Sequence, residues 1–202
     1  MTYFLDVESL STHQEAVLLS VGIIYIDDPK NWDDLVKNSL FIKLDAQYQI
    51  ETLKRKIDKS TVDWWMKQDK EVRNKSFKPY SDDLLPKEAF NKMRQFIYDH
   101  TGTQKALCYT RGSMDERIIE DLALQTENVV PFVYNQYRDV RTAIDILYPK
   151  SNNGYVEVDE DGNIKLDTDG KPIPGKLNWM ATLGNSFLAV TSPQITGHTP
   201  SH

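Results

Sequence analysis

The stretch Tyr3–Ser9, YFLDVES, alternates apolar and acidic side chains close to the start of the chain. Alternate side chains of a β-strand share a face, so Leu5 and Val7 are predicted to enter a core. Asp6 and Glu8 then lie together on the opposite face. Two neighbouring carboxylates on a buried strand repel each other and lose hydration, and a divalent cation offsets both costs. Oxygen donors suit Mg²⁺ or Mn²⁺. The alternative is an exposed strand end on which both acids are solvated.

The order of apolar segments predicts a mixed α/β domain. Three strands separated by polar turns are expected in the first third of the chain, at Tyr3–Ser9, Ala16–Asp27 and Leu40–Asp45. Helical periodicity and capping residues then predict a helix after an N-cap at Ser60, a helix opened by Pro86, and a helix over Ser113–Leu124. Short strands at Lys105–Thr110 and Pro131–Tyr137 and a helix over Val140–Leu147 complete the pattern. Residues 151–176 hold an Asp-Gly turn and are predicted to form a β-hairpin insertion within one domain, 1–202.

The composition is that of an ordinary globular protein, with 40% hydrophobic and 27% charged residues among 202. No apolar run is long enough to cross a bilayer, so no membrane partner is expected. The start of the chain lacks the pattern of a signal peptide, and Cys108 is its one cysteine. These two features favour a reducing, cytoplasmic setting. The net charge of −6 argues against a protein that merely coats nucleic acid, but not against an enzyme whose acids hold cations.

A third acid lies at a predicted strand-to-helix junction. The strand is expected to end at Thr110, the residues Arg111 and Gly112 to form a turn, and Asp115 to lie at the start of the next helix. From that position Asp115 can project back toward the edge of the sheet. The alternative is an acid that only complements the helix dipole.

The combination of these acids resembles the DEDD exonuclease superfamily of DnaQ-like 3′→5′ exonucleases, in its His subtype. Asp6-Val7-Glu8 matches the first motif, Met114-Asp115 the second, and His198 the histidine of the third. The resemblance is closest to the branch that contains phage exonuclease A and related bacterial 3′→5′ exoribonucleases. Five segments carry it in order: FLDVESL (4–10), STVDWWMKQ (60–68), YTRGSMDERIIEDL (109–122), NQYRDVRT (135–142) and GHTPSH (197–202).

The resemblance implies a ribonuclease H-like, mixed five-stranded sheet flanked by helices, and a two-metal site for Mg²⁺ or Mn²⁺. Asp6, Glu8 and Asp115 would hold the metal, and His198 would be the general base. Weaker expectations concern substrate binding. One of the adjacent residues Trp64 and Trp65 could stack on a base, and Trp65 is predicted to be that residue. Arg111 could reach a substrate phosphate. Asp139 and Arg141 could buttress the site, contact phosphate or form a structural ion pair.

The activity that the resemblance implies is release of 5′-mononucleotides from the 3′ ends of single-stranded DNA. The third motif of the family has an acid five positions after its histidine, whereas the sequence ends at His202, four positions after His198. The fourth metal-ligating acid and the last helix are therefore expected to be missing, and this exact chain is expected to have low or no activity. Two alternatives stay open: a 3′→5′ exoribonuclease, and a non-catalytic nucleic-acid-binding module on the same fold.

Overall fold

The computed structural model describes residues 1–26, 32–142, 150, 151, 154, 155, 157, 159 and 163–173. Five of the described strands form one sheet: β1 (Thr2–Ser9), β2 (Leu18–Ile26), β3 (Ser39–Lys43), β4 (Leu107–Thr110) and β5 (Tyr137–Asp139). Their order is β3-β2-β1-β4-β5, in which β1 is antiparallel to β2 and parallel to β4. This mixed sheet with flanking helices is consistent with a ribonuclease H-like fold, so the predicted fold class is confirmed.

The helices follow the strands in the expected α/β order. They are α1 (Trp32–Lys37), α2 (Ala46–Glu51), α3 (Lys59–Met66), α4 (Lys70–Val72), α5 (Pro86–Thr101) and α6 (Met114–Gln125), with a π-helix at Arg73–Phe77 and a 3₁₀ turn at Tyr134–Gln136. Pro86 occupies the first turn of α5, as predicted, and the positive φ of Gly102 ends that helix. None of the described helices has the length and apolar character needed to span a membrane.

The main core lies between one face of the sheet and two helices. Leu5 and Val7 of β1 are buried there with Val21 and Ile23 of β2, as the alternation predicts. The helices contribute Phe90, Met93, Ile118, Ile119 and Leu122 to the same cluster. Because β1 is the central strand and is buried through this face, the acids on its other face are held at a fixed position.

A second, smaller cluster packs α3 against the end of β2. Trp65 is 1% exposed there, beside Leu10, Val17 and Leu19, and its indole N–H donates to the carbonyl oxygen of Ser9 at 3.0 Å. Its neighbour Trp64 is 52% exposed. The choice of Trp65 for base stacking is therefore wrong, because a buried indole offers no face to a base.

Two local predictions need correction. The helix predicted to begin at Ser60 begins at Lys59, with Asp58 as its N-cap residue; the Asp58 carboxylate accepts a hydrogen bond from the Ser11 hydroxyl at 2.6 Å and ties the helix to the loop after β1. The strand predicted at Pro131–Tyr137 is largely replaced by the 3₁₀ turn. The side-chain amide of Gln136 stabilises that turn. Its oxygen accepts a hydrogen bond from the N–H of Val133, and its nitrogen donates to the carbonyl of Ala106, just before β4, both at 2.9 Å.

The region after β5 is described in part. Residues 140–142 are helical, and the rest of the predicted helix over 140–147 lies outside the described residues. Two short strands, β6 (Lys150–Ser151) and β7 (Gly154–Tyr155), pair with each other, and the N–H of Lys165 donates to the carbonyl of Glu157. These contacts agree with a hairpin, and the insertion at 151–176, like the single-domain boundaries 1–202, stays a prediction. The expected end of the fold near His198 lies outside the described residues.

The adjacent tryptophans provide a test of this packing. Trp65→Ala should lower the free energy of unfolding by about 3–5 kcal/mol, because it opens a cavity and leaves the Ser9 carbonyl without its donor. Trp64→Ala, the matched control, should cost about 1 kcal/mol or less. Urea unfolding measures both, and equal losses for the two variants would contradict the assignment of Trp65 to the core.

Candidate active site

Two acids of the site lie on the central strand, on the face opposite the main core. Across the β1–β2 ladder, Asp6 is paired with Gly22 and Glu8 with Ser20. Ser20 is fully buried, and its hydroxyl has no hydrogen-bond partner among the described residues. The sequence analysis missed Ser20, although a hydroxyl within the apolar run Leu18–Ile26 was a signal for it.

The third acid comes from the junction between β4 and α6. The strand ends at Thr110, three residues form a turn, and Asp115 is the second residue of the helix, as predicted. Asp115 is 3% exposed, and its Oδ2 atom has no partner in the described part of the chain. A helix acid that only complemented the dipole would be solvated, so this burial favours a role at the sheet edge.

Burial raises the pKa values of all three carboxyl groups, and the charge of Asp6 adds to the effect at Glu8 and Asp115. Burial raises the pKa of Asp6 to about 6, an effect that the Arg111 charge reduces. Burial and then the Asp6 charge raise the pKa of Glu8 to about 8. For Asp115, burial and Asp6 raise the pKa to about 8, against a backbone hydrogen bond from Arg111. The acids from the two halves of the chain therefore lie within one electrostatic cluster.

This cluster matches a hard divalent cation in charge and in donor type. The partnerless Asp115 Oδ2 is a buried oxygen of the kind that a metal ion satisfies. Within the residues that the structure describes, however, no three His, Cys, Asp or Glu side chains converge into a ligand set. The effect of the Asp6 charge on the pKa values of Glu8 and Asp115 indicates that the three acids are neighbours. Binding of a metal ion would require their carboxylates to turn toward a common point and further oxygen donors to join them.

Asp139 fixes the turn that leads to Asp115. Its Oδ1 atom accepts hydrogen bonds from the backbone N–H of Gly112 at 2.9 Å and of Arg141 at 3.0 Å, and its Oδ2 atom accepts the Thr142 hydroxyl at 2.9 Å. Burial raises the pKa of Asp139, but these hydrogen bonds, led by that from Thr142, bring it below its ordinary value. Gly112 has a φ of 82°, which favours glycine at this turn. Of the three roles considered for Asp139, the contacts favour the buttress.

The other predicted residues take different positions. The Arg111 charge acts on both Asp6 and Asp115, so this guanidinium lies beside the acids. Arg141 is exposed, and its Nη1 atom approaches the Gly112 turn. Trp65 is buried in the second cluster. His198 lies outside the described residues, and its role as general base stays a prediction.

Comparison with known proteins places this geometry in a family. Residues 1–167, which include all three acids, match the family described as the 3'-5' exoribonuclease Rv2179c-like domain. The chain belongs to this family. It is also 27% identical over 164 residues to an exodeoxyribonuclease of Enterobacteria phage T4, with 72% of this chain and 71% of the phage protein covered. The predicted relationship to DEDD-type 3′→5′ exonucleases is confirmed.

The buried acids of this exonuclease family member should make its metal-free stability depend on pH. The folded Asp115 keeps its proton up to about pH 8, whereas the unfolded residue loses it near pH 4. The folded state therefore binds more protons between these values, and stability falls as pH rises through that window. Asp115→Asn removes this loss, so it should be more stable than the wild type by about 5 kcal/mol above pH 8 and close to it near pH 4.

Urea unfolding in EDTA at several pH values measures the difference. The matched control is Asp99→Asn on the exposed face of α5, whose difference from the wild type should not grow with pH. A gap between Asp115→Asn and the wild type that stays constant from pH 4 to pH 8.5 would show that Asp115 is not a desolvated acid.

Proposed function

We propose that this chain is a divalent-metal-dependent 3′→5′ exonuclease that releases 5′-mononucleotides from single-stranded DNA. The observation that supports this proposal most directly is the cluster of Asp6, Glu8 and Asp115, three desolvated carboxyls held together with no described cation beside them except Arg111. Membership of an exonuclease family supports a catalytic role for that cluster.

In this proposal Asp6, Glu8 and Asp115 hold Mg²⁺ or Mn²⁺ at the rim of the sheet. A bound pair of such ions supplies activation of the attacking water and stabilisation of the leaving 3′ oxygen. His198 accepts the proton of that water, a task suited to an imidazole that titrates near neutrality. The bond between phosphorus and the 3′ oxygen of the preceding nucleotide breaks, so the terminal nucleotide leaves with its phosphate on the 5′ carbon.

The cationic and aromatic side chains near the acids orient the substrate. In the metal-free arrangement the charge of Arg111 offsets part of the charge of Asp6. Once a metal ion takes over that task, Arg111 can neutralise the phosphate that is cleaved, and Arg141 can assist from the neighbouring turn. Trp64, which is exposed and packs edge-on against Trp65 at 5.1 Å, is the indole of the pair that can stack on a base.

RNA is the second candidate substrate. The family that matches residues 1–167 is described as a 3'-5' exoribonuclease domain, whereas the phage relative is described as an exodeoxyribonuclease. No described residue has been identified as a reader of the 2′-hydroxyl, the group by which proteins distinguish RNA from DNA. A non-catalytic binding module is the third possibility, and it predicts retained binding of single strands without cleavage.

Removal of one carboxylate tests the metal site. Asp115→Asn should lower Mn²⁺-dependent release of nucleotides from a single-stranded oligonucleotide by at least about a hundredfold, because the metal loses a charged ligand. The same variant should weaken Mn²⁺ binding, measured as the residual signal of free Mn²⁺ by electron paramagnetic resonance. Asp99→Asn should leave both measurements at the wild-type level.

The binding measurement keeps the test informative even where turnover is slow. Wild-type protein that binds no Mn²⁺ above the level of Asp115→Asn would rule out the metal site. Protein that binds both Mn²⁺ and oligonucleotide but releases no nucleotide would favour the non-catalytic module.

Matched DNA and RNA substrates test the preferred nucleic acid and the direction of digestion. A DNA and an RNA oligonucleotide of one sequence, each labelled at its 5′ end, should be shortened stepwise from the 3′ end, and the DNA should be degraded faster. Gel electrophoresis resolves the ladders, and a blocked 3′ terminus should prevent shortening. Faster degradation of RNA would replace DNA as the proposed substrate, and immediate release of the labelled 5′ nucleotide would reverse the proposed polarity.

A further inference from the structure

A cleft of about 400 Å³ lies between the loop that follows β1 and the start of α6. Its walls are the loop Thr12–Glu15, Lys56, and the α6 residues Ser113, Met114 and Arg117. The loop follows β1, which carries Glu8, and the three helix residues flank Asp115, so the cleft and the acids share two structural elements. Its volume lies within the range of small-ligand sites, large enough for a nucleotide-sized group.

The walls of this cleft are fixed to one another by a buried arginine. Arg55, whose side chain is 1% exposed, donates from Nε to the carbonyl of Ala16 at 2.7 Å and from Nη2 to that of Gln14 at 2.9 Å. Its Nη1 atom donates to the Asp121 carboxylate at 2.8 Å and to Gln125 at 3.0 Å, both on α6. One guanidinium thus ties the loop to the helix, and the cleft is held open in a defined shape.

The lining of the cleft carries positive charge in a chain whose net charge is −6. Lys56 forms a salt bridge with Glu15, in which Nζ and Oε2 lie 2.5 Å apart and both side chains are about half exposed, so solvent weakens the pairing. The Arg117 guanidinium forms no hydrogen bond or salt bridge with any described residue. Ser113 precedes α6 without capping it, and Met114 is 37% exposed. A cation, hydroxyls and an apolar side chain together suit the phosphate, sugar and base of a nucleotide.

We propose that this cleft binds the substrate strand on the 5′ side of the phosphate that is cleaved, with Arg117 as the ligand of a backbone phosphate. The inference rests on the proposed exonuclease function and adds a second subsite to it. The acids take the terminal phosphodiester, and the cleft holds the strand that leads to it. Binding should therefore depend on Arg117 for an oligonucleotide and not for a substrate of one nucleotide.

The first experiment measures binding without cleavage. A fluorescein-labelled oligothymidylate is titrated with protein in Ca²⁺ at several KCl concentrations, and fluorescence anisotropy gives the affinity. Arg117→Ala should weaken binding by about three- to tenfold and lower the slope of log affinity against log salt by about 0.7, the loss of one phosphate contact to a single strand. Arg94→Ala on the exposed face of α5, the charge-matched control, should change neither value.

A second variant should act in the opposite direction. Glu15→Gln removes the carboxylate that competes for Lys56, so it should tighten oligothymidylate binding about two- to threefold. A merely structural role for the pair of Lys56 and Glu15 predicts no gain. Equal effects of Arg117→Ala and Arg94→Ala, or weaker binding by Glu15→Gln, would overturn the proposal, as would wild-type protein that binds no oligothymidylate.

Kinetics separate this inference from the proposed function. With Mn²⁺, Arg117→Ala should raise KM for oligothymidylate about three- to tenfold and leave the hydrolysis of thymidine 5′-monophosphate p-nitrophenyl ester unchanged, because that ester reaches only the acids. Loss of both activities to the same degree would overturn the second subsite. Absence of both activities in the wild type would defeat the proposed exonuclease function, and the anisotropy comparison would still test the cleft.

Discussion

The site depends on one costly constraint, the burial of three carboxyl groups at the rim of a single sheet. Asp6 and Glu8 repel each other from the central strand, and Asp115 adds a third carboxyl from the start of α6. Folding alone does not repay this cost, since each group loses hydration and, among the described residues, only Arg111 offsets the charge of Asp6 and Asp115. A fold optimised for stability would place apolar residues at these positions. The arrangement makes physical sense when positive charge arrives from outside the chain, which is the behaviour of a metal-dependent site.

The surrounding scaffold explains how the acids are kept together despite their repulsion. The central strand is packed through Leu5 and Val7, so the carboxyls opposite them cannot rotate away with the backbone. Asp139 holds the turn before Asp115 through Gly112, and Arg55 holds α6 against the loop that follows β1. Both supports are charged side chains that bind backbone groups and polar side chains of neighbouring segments. The rigidity of the site is therefore built from polar side chains outside it.

The sequence predicted features that depend on local periodicity and failed where distant contacts decide. Alternation in β1 was sufficient to place Asp6 and Glu8, and the end of a strand before a helix was sufficient to place Asp115. Sequence pattern alone could not distinguish Trp64 from Trp65, because two adjacent aromatic residues on a helix fit its periodicity about equally well. The contacts of Trp65 with Ser9 and the second cluster decide which of the two is buried. Ser60 was a plausible N-cap, but Asp58 occupies that position and is also bound by Ser11, a residue 47 positions away in sequence. Arg55 lies between two lysines, and its burial follows from carbonyls and a carboxylate that no sequence pattern brings together.

The charge of the chain raises a further question, because a protein of net charge −6 repels the polyanion that it is proposed to degrade. The repulsion is strongest at the acids, where the phosphodiester must come closest. Salt screens charges that lie more than about 10 Å apart, so the sign of the charge close to the site decides whether a strand can enter. Cations bound to the carboxyls would reverse that sign at the rim, whereas the cleft contains the Arg117 guanidinium with or without bound cations. If both proposals hold, a strand would first be bound by Arg117 and would reach the acids once metal had bound, so cleavage would wait for a complete site.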